Sequence, residues 1–157
     1  MDYRVERLDA FRVVGSETRV KHDEAFAAVP AIWQAAADEG LFERLWAVRA
    51  EHAPIRGMLG VCAEGDWGAN ETFAYMAGIV SEREPADGWT MRAFPPAEWV
   101  VFEAAGGPEG LSGLWQRLYT EWLPASGFEL ADLPAIECYL PPGEGKNELW
   151  VPVKGSA

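Results

Sequence analysis

Hydrophobic and polar positions along the chain follow a pattern of elements that occurs twice. Residues 3–20 alternate loosely and are rich in valine, which predicts two short strands or one long bent strand, with Gly15 at a bulge or bend. A helical stripe follows from Pro30, ends at Gly40 and is succeeded by a second short helical segment within 41–56. The next two strands are predicted at 58–63 and 72–80.

The second half of the chain repeats this order of elements. Its clearest element is a helix over 111–122, because apolar residues recur there at helical spacing and form one continuous stripe that predicts core. The stripe consists of Leu111, Leu114, Trp115, Leu118 and Trp122. The strands of this half are predicted at 89–94, 99–103, 135–140 and 148–153.

The repeated elements predict an α+β fold of two pseudo-symmetric strand–helix–strand–strand modules, whose antiparallel sheets form a central ligand groove. We expect one domain over 1–157, with half-repeats at about 1–82 and 88–154 joined by a charged linker. Trp33 and Trp115 hold matching positions, each early in a helix. Polar hairpin loops are predicted at 64–70 and 141–146.

Composition and charge limit the class of protein and the kinds of partner. Hydrophobic residues make up 49% of the 157 positions, which predicts a globular fold. The chain carries 25 Asp and Glu against 13 Lys and Arg, and its formal net charge is −12. We therefore expect no direct binding to nucleic acid, because phosphates are bound by basic side chains.

The two cysteines, Cys62 and Cys138, are interpreted as small buried residues of a cytosolic protein rather than as a disulfide. The sequence has neither the pattern of a signal peptide nor an apolar run long enough for a membrane span, so we expect a cytoplasmic protein without a membrane partner. His22 and His52 lie in polar contexts without metal-ligand spacing. We expect no metal and no cofactor.

One position separates the two halves most clearly. Where the first half has Gly60, the second has Glu137. Strand alternation places Glu137 and Tyr139 on one face of their strand. If the aliphatic residues of both final strands lie under the second helix, the opposite face carries Glu137, Tyr139, Trp150 and Glu148.

Two interpretations of that face stay open. It can be a site for an organic cation or an amphipathic aromatic molecule, because aromatic rings attract cations and a carboxylate supplies the countercharge. It can equally be a solvated sheet face whose glutamate pairs with a nearby arginine. A Glu137–Tyr139 pair could also serve as general acid and base on a bound ligand, which would require a raised pKa for Glu137.

An ordered set of short motifs resembles the GyrI-like small-molecule-binding domain, the effector-binding domain of AraC-type and multidrug-responsive transcription regulators. The resemblance covers the chain from about Tyr3 to Val153. The motifs are Val29-Pro30-Ala31-Ile32-Trp33, Leu59-Gly60-Val61-Cys62, Phe73-Ala74-Tyr75-Met76-Ala77-Gly78-Ile79, Leu114-Trp115 with Glu121-Trp122-Leu123-Pro124-Ala125-Ser126-Gly127, Ile136-Glu137-Cys138-Tyr139, and Glu148-Leu149-Trp150-Val151-Pro152-Val153.

The resemblance implies two modules related by a pseudo-twofold axis, with a groove between them. In that family a glutamate on the penultimate strand contacts cationic ligands, and Glu137 matches its motif. The resemblance also implies that groove aromatics stack on the ligand, a role for Tyr139, Trp150 and Tyr75. Comparison of the two halves instead places Met76, rather than Tyr75, on the groove face.

For function, the resemblance implies binding of hydrophobic, cationic or aromatic small molecules by a stand-alone sensor or sequestering protein. Regulators of the family carry a helix-turn-helix domain, for which we expect no room here. Two alternatives stay open. Some stand-alone relatives hydrolyse cyclopropane-type toxins, which would make Glu137 and Tyr139 catalytic. A stand-alone domain can also be a protein inhibitor that binds DNA gyrase or another protein partner.

Overall fold

The computed structural model describes residues 2–63, 72–104, 108–140 and 145–154. The predicted loop at 64–70 and most of the one at 141–146 lie outside this part of the chain. The strands are β1 (Arg4–Leu8), β2 (Phe11–Lys21), β3 (Met58–Ala63), β4 (Thr72–Val80), β5 (Thr90–Phe94), β6 (Ala97–Ala104), β7 (Ala135–Tyr139) and β8 (Asn147–Val153). The helices are α1 (Ala25–Asp38), α2 (Leu41–Ala47), α3 (Pro108–Arg117) and α4 (Leu123–Ser126), with a π-helical turn at Leu118–Trp122 between the last two.

All eight strands form one antiparallel sheet in the order β1-β6-β8-β7-β3-β4-β2-β5. This confirms the α+β class with antiparallel pairing. The order is symmetric about the central β3–β7 pair, since β6, β8 and β7 on one side correspond to β2, β4 and β3 on the other. The first strand of each half is exchanged, because β1 pairs with β6 and β5 pairs with β2.

The sheet curls, so that both of its faces are buried. Phe11 of β2 and Phe94 of β5 stack at 4.8 Å near one edge, and Trp99 of β6, near the other edge, lies 6.2 Å from the Phe11 ring. Strands from opposite ends of the sheet therefore share one inner hydrophobic cluster. The outer face is covered by α1 and α2 over the first half and by α3 and the following turn over the second.

Two local predictions are wrong. The first helix begins at Ala25 rather than at Pro30, because Ala25, Ala28 and Val29 pack on a cluster around Phe73 and extend the helix back past the proline. Gly15 is not at a bulge, since β2 pairs continuously with β4. A side chain at Gly15 would collide with the β4 backbone, 2.6 Å from the Cα of Gly78.

Other elements agree with the sequence pattern. Gly40 ends α1 in the left-handed conformation, with φ 75°, and separates it from α2. The stripe on the second helix lies in the cluster that covers β6 and β8, which confirms its core role. Among the described residues, no helix has the length and apolar content required to cross a membrane.

The prediction that Glu137, Tyr139, Trp150 and Glu148 share one face is wrong. Directly paired residues of an antiparallel ladder lie on the same face, and the register pairs Glu137 with Leu149 and Ile136 with Trp150. Glu137 therefore lies on the outer face, whereas Trp150 belongs to the inner cluster. The prediction assumed that all aliphatic side chains lie under the helix, but the curled sheet buries aliphatic residues on its inner face too.

Candidate functional site

The most unusual buried group is the carboxylate of Glu137, on β7 at the middle of the sheet. Its side chain faces the helices and only 6% of the residue is exposed. The Tyr75 hydroxyl donates a hydrogen bond of 2.6 Å to Oε1, and the Tyr139 hydroxyl donates one of 3.0 Å to the same atom. Trp115 Nε1 donates to Oε2 at 2.8 Å. Both carboxylate oxygens thus have donors, all of them neutral.

Matching helices of the two halves supply a tryptophan each to this site. Trp115 of α3 contacts Glu137 directly, and Trp33 of α1 donates from Nε1 to the Tyr75 hydroxyl at 2.7 Å. The Trp33 ring also lies 5.2 Å from the Tyr139 ring in an edge-to-face arrangement, at 67°. We refer to Glu137, Tyr75, Tyr139, Trp33 and Trp115 together as the Glu137 cluster.

Gly60 makes room for the cluster. The β3–β7 register places Gly60 directly opposite Glu137, at the centre of the symmetric strand order. A Cβ atom at Gly60 would collide with the Tyr75 hydroxyl and would lie 2.9 Å from Glu137 Oε1. Gly60, in the first half, therefore leaves the space in which the Tyr75 hydroxyl donates to Glu137, in the second half.

Burial dominates the electrostatics of the cluster. Burial raises the pKa of Glu137, while hydrogen bonds from Tyr75, Trp115 and Tyr139 oppose the rise. No cationic side chain is among the groups that shift the pKa of this carboxyl. Burial and the Glu137 charge together raise the pKa of the Tyr75 and Tyr139 hydroxyls. Within the described part of the chain, the arrangement is a hydrogen-bond acceptor site whose donors are all neutral.

The structure divides the residues predicted from sequence between the two faces of the sheet. Tyr75 and Tyr139 lie with Glu137 on the outer face. Met76 belongs to the inner cluster and is fully buried, so its placement on the Glu137 face is wrong, because β4 turns the neighbouring Tyr75 toward α1. Trp150 and Glu148 also lie away from Glu137.

Glu148 fits the alternative interpretation of an arginine-paired glutamate. Arg4 donates to it at 2.8 Å and lies 5.6 Å from the centre of the Trp150 ring. Trp150 Nε1 donates to Glu148 at 3.1 Å. The residues missing from the predicted site are Trp33 and Trp115. Their matching positions in the repeat were the signal that could have identified them.

Comparison with known proteins places the chain in a family. The family model of the GyrI-like small molecule binding domain matches residues 1–154. The chain belongs to this family. No curated protein gives a significant sequence match.

Solved structures agree with the GyrI-like assignment at the level of the fold. The structure of SAV2435 bound to tetraphenylphosphonium is 20% identical, with a TM-score of 0.84, and the alignment covers 99% of this chain and 95% of that one. A protein of Staphylococcus aureus MU50, described as a bacterial transcription regulation protein, is also 20% identical, with a TM-score of 0.82 and 99% coverage of both chains. EcmrR in complex with DNA is 13% identical, with a TM-score of 0.56, and the alignment covers 99% of this chain but 58% of that one.

Proposed function

We propose that this GyrI-like domain binds hydrophobic aromatic cations on the outer face of the sheet, with Glu137 as the countercharge. The observation that carries the proposal is a buried carboxyl that is surrounded by aromatic side chains and has no cation among the groups that shift its pKa. SAV2435, which shares the fold, has been solved with the cation tetraphenylphosphonium.

Desolvation explains why a cation is the favoured ligand. An ionised carboxylate without a compensating charge costs several kcal/mol to bury. The hydrogen bonds to Glu137 offset part of that cost, at about 1.5–3 kcal/mol for each bond to a charged group. A bound cation would remove the rest, and the faces of Trp33 and Trp115 would add about 0.5–2 kcal/mol each.

Access to Glu137 requires a local rearrangement. Glu137 is buried; the half-buried Trp115 donates to it directly, and the half-buried Trp33 contacts the two tyrosines that donate to it. A ligand would have to displace at least one indole ring and take over its contact with the cluster. Binding should therefore change tryptophan fluorescence.

Fluorescence titration with tetraphenylphosphonium tests this function. We expect Glu137→Gln to weaken binding at least tenfold, by about 1.4 kcal/mol, because the neutral amide removes the countercharge. Glu148→Gln is the matched control, since that glutamate lies on the other face of the same sheet and pairs with Arg4. Equal affinity of wild type and Glu137→Gln would refute the role of Glu137, whatever the control shows.

Hydrolysis of a strained electrophile is a second candidate, favoured by the raised pKa of Glu137. A protonated carboxyl beside two phenols could protonate the carbonyl oxygen of a cyclopropane conjugated to a carbonyl. Water would then form a bond to a ring carbon as the ring C–C bond breaks, with the water proton returning to the carboxylate. Mass spectrometry would detect a product heavier by one water, lost in Glu137→Gln; an unchanged substrate would exclude this reaction.

A further inference from the structure

The two sides of the Glu137 cluster are filled unequally. Since Gly60 and Glu137 face each other at the symmetry centre, residues two positions further along each strand correspond, and these are Cys62 and Tyr139. Tyr139 fills its side, packing on Trp33 and donating to Glu137. On the other side, beside Trp115, the equivalent position carries the much smaller thiol of Cys62.

A cavity of about 730 Å³ lies on the side with the smaller residue. Cys62 and Trp115 both line it, so it begins next to the group that donates to Glu137. Its volume falls in the range of roughly 300–1,000 Å³ that is typical of small-molecule sites. On the Trp33 side, the matching position carries the Tyr139 ring.

The walls of this cavity suit a flat or bulky aromatic body. Trp115 and Tyr119 stack nearly parallel, at 6.1 Å and 11°, and form one aromatic wall. Leu130, Leu133 and Pro134 contribute apolar surface, and the exposed Asp132 adds an acidic group. Arg92, the basic side chain that lines the same cavity, is ion-paired with Glu17.

We infer that the ligand occupies the cluster asymmetrically, with its charged centre at Glu137 and its aromatic body in the cavity beside Cys62, Trp115 and Tyr119. This inference rests on the proposed function and adds to it the direction in which the ligand extends. It makes Cys62 a determinant of specificity, because a larger side chain there would narrow the end of the cavity next to Trp115. Ligands with a large aromatic part should gain most from this cavity.

Narrowing the cavity beside Trp115, by placing a tyrosine at position 62 as at the matching position 139, tests the inference. We expect Cys62→Tyr to weaken tetraphenylphosphonium at least tenfold, while the smaller benzyltrimethylammonium, which need only reach Glu137, loses less than threefold. Val5→Tyr is the control for an added tyrosine, since Val5 is exposed on an edge strand. Wild-type affinity of Cys62→Tyr for tetraphenylphosphonium would overturn the inference while leaving the proposed function intact. If instead neither cation binds the wild type, the proposed function itself has failed.

Alkylation of Cys62 in the wild-type protein gives a second test that does not depend on the folding of a variant. Burial and the Glu137 charge raise the pKa of the Cys62 thiol, so labelling is slow; it is followed over long times with excess reagent and located by mass spectrometry. We expect saturating tetraphenylphosphonium to slow the modification of Cys62 at least fivefold. Unchanged labelling in the presence of a bound ligand would place the aromatic body elsewhere.

Discussion

Two glutamates on opposite faces of the same sheet both accept a hydrogen bond from a tryptophan, but they differ in whether an arginine pairs with them. Glu148, on β8, accepts hydrogen bonds from Arg4 and Trp150, and the Arg4 guanidinium lies over the Trp150 ring. Glu137, on β7, has tryptophan and tyrosine donors and no cation among the groups that shift its pKa. Both sites contain a carboxylate and an indole, but among the described residues a cation hydrogen-bonds only to Glu148.

This difference between Glu148 and Glu137 supports the proposal that the Glu137 cluster binds a cation. At Glu148 the chain supplies its own cation through β1, so the charge is balanced within the fold. At Glu137 no described cation is among the groups that shift its pKa, and in the proposed function the bound ligand supplies that charge. Natural sites often hold such an unfavourable group at some cost in stability, because the group is needed for binding.

Gly60→Ala should have the largest effect, because it disrupts the Glu137 cluster. The added methyl group would collide with the Tyr75 hydroxyl and crowd Glu137, and overpacking of this kind costs about 1–3 kcal/mol. We expect a lower free energy of unfolding in urea and the loss of cation binding. Gly113→Ala is the control, because a Cβ there meets no atom within 4 Å and should be neutral or slightly stabilising. Equal stability and binding in both variants would show that the cluster tolerates the methyl group.

Arg4→Met should affect the surroundings of Glu148 and leave the Glu137 cluster unchanged. The variant keeps the aliphatic stem but leaves Glu148 without its cation, and since Arg4 is 41% exposed we expect a loss of only about 1 kcal/mol in stability. Cation binding at Glu137 should stay within twofold of wild type. A change in unfolding free energy together with unchanged fluorescence titration would support independent sites; coupled losses would contradict the comparison.

The pH should affect folding stability and cation affinity in opposite directions, because Glu137 is protonated for the first and ionised for the second. Because burial raises its pKa, protonation of Glu137 favours the folded state, and this contribution is fully present below the ordinary glutamate pKa and is lost as the pH rises through the raised value. Cation binding needs the ionised form, so affinity should increase over the same range, with proton release on binding. Calorimetry in buffers of different ionisation enthalpy measures that release, which Glu137→Gln should abolish. A pH-independent affinity in the wild type would contradict ionisation of Glu137 on binding.

The sequence pattern predicted the positions of strands and helices better than it predicted which face of the sheet each side chain lies on. The strands at 58–63 and 72–80 and the apolar stripe of the second helix follow from local periodicity, and the structure has them there. The resemblance correctly identified the family. The exchange of β1 and β5 between the halves was not predicted, because strand pairing depends on contacts distant in sequence.

The composition of the site shows why faces were harder to predict. Alternation along β7 correctly separated Glu137 from Ile136, but it could not decide which side of β8 joins Glu137. That choice depends on the β7–β8 register and on the curl that buries the inner face as well. Tyr75 and Met76 are adjacent on β4 and point to opposite faces, so an error of one residue in the alignment of the two halves assigns the wrong one to the Glu137 face. Trp33 and Trp115 hold matching positions in the repeat, but helix periodicity alone places them in the core rather than at the site.

The most direct test compares a charged and a neutral ligand on wild type and Glu137→Gln. Tetraphenylphosphonium and triphenylphosphine oxide present similar aromatic surfaces, but only the first carries a net positive charge. We predict that Glu137→Gln weakens the cation at least tenfold and changes the affinity of the neutral compound less than twofold, a coupling of about 1 kcal/mol or more. Equal effects on both ligands, or no effect on either, would contradict the claim that Glu137 is the countercharge.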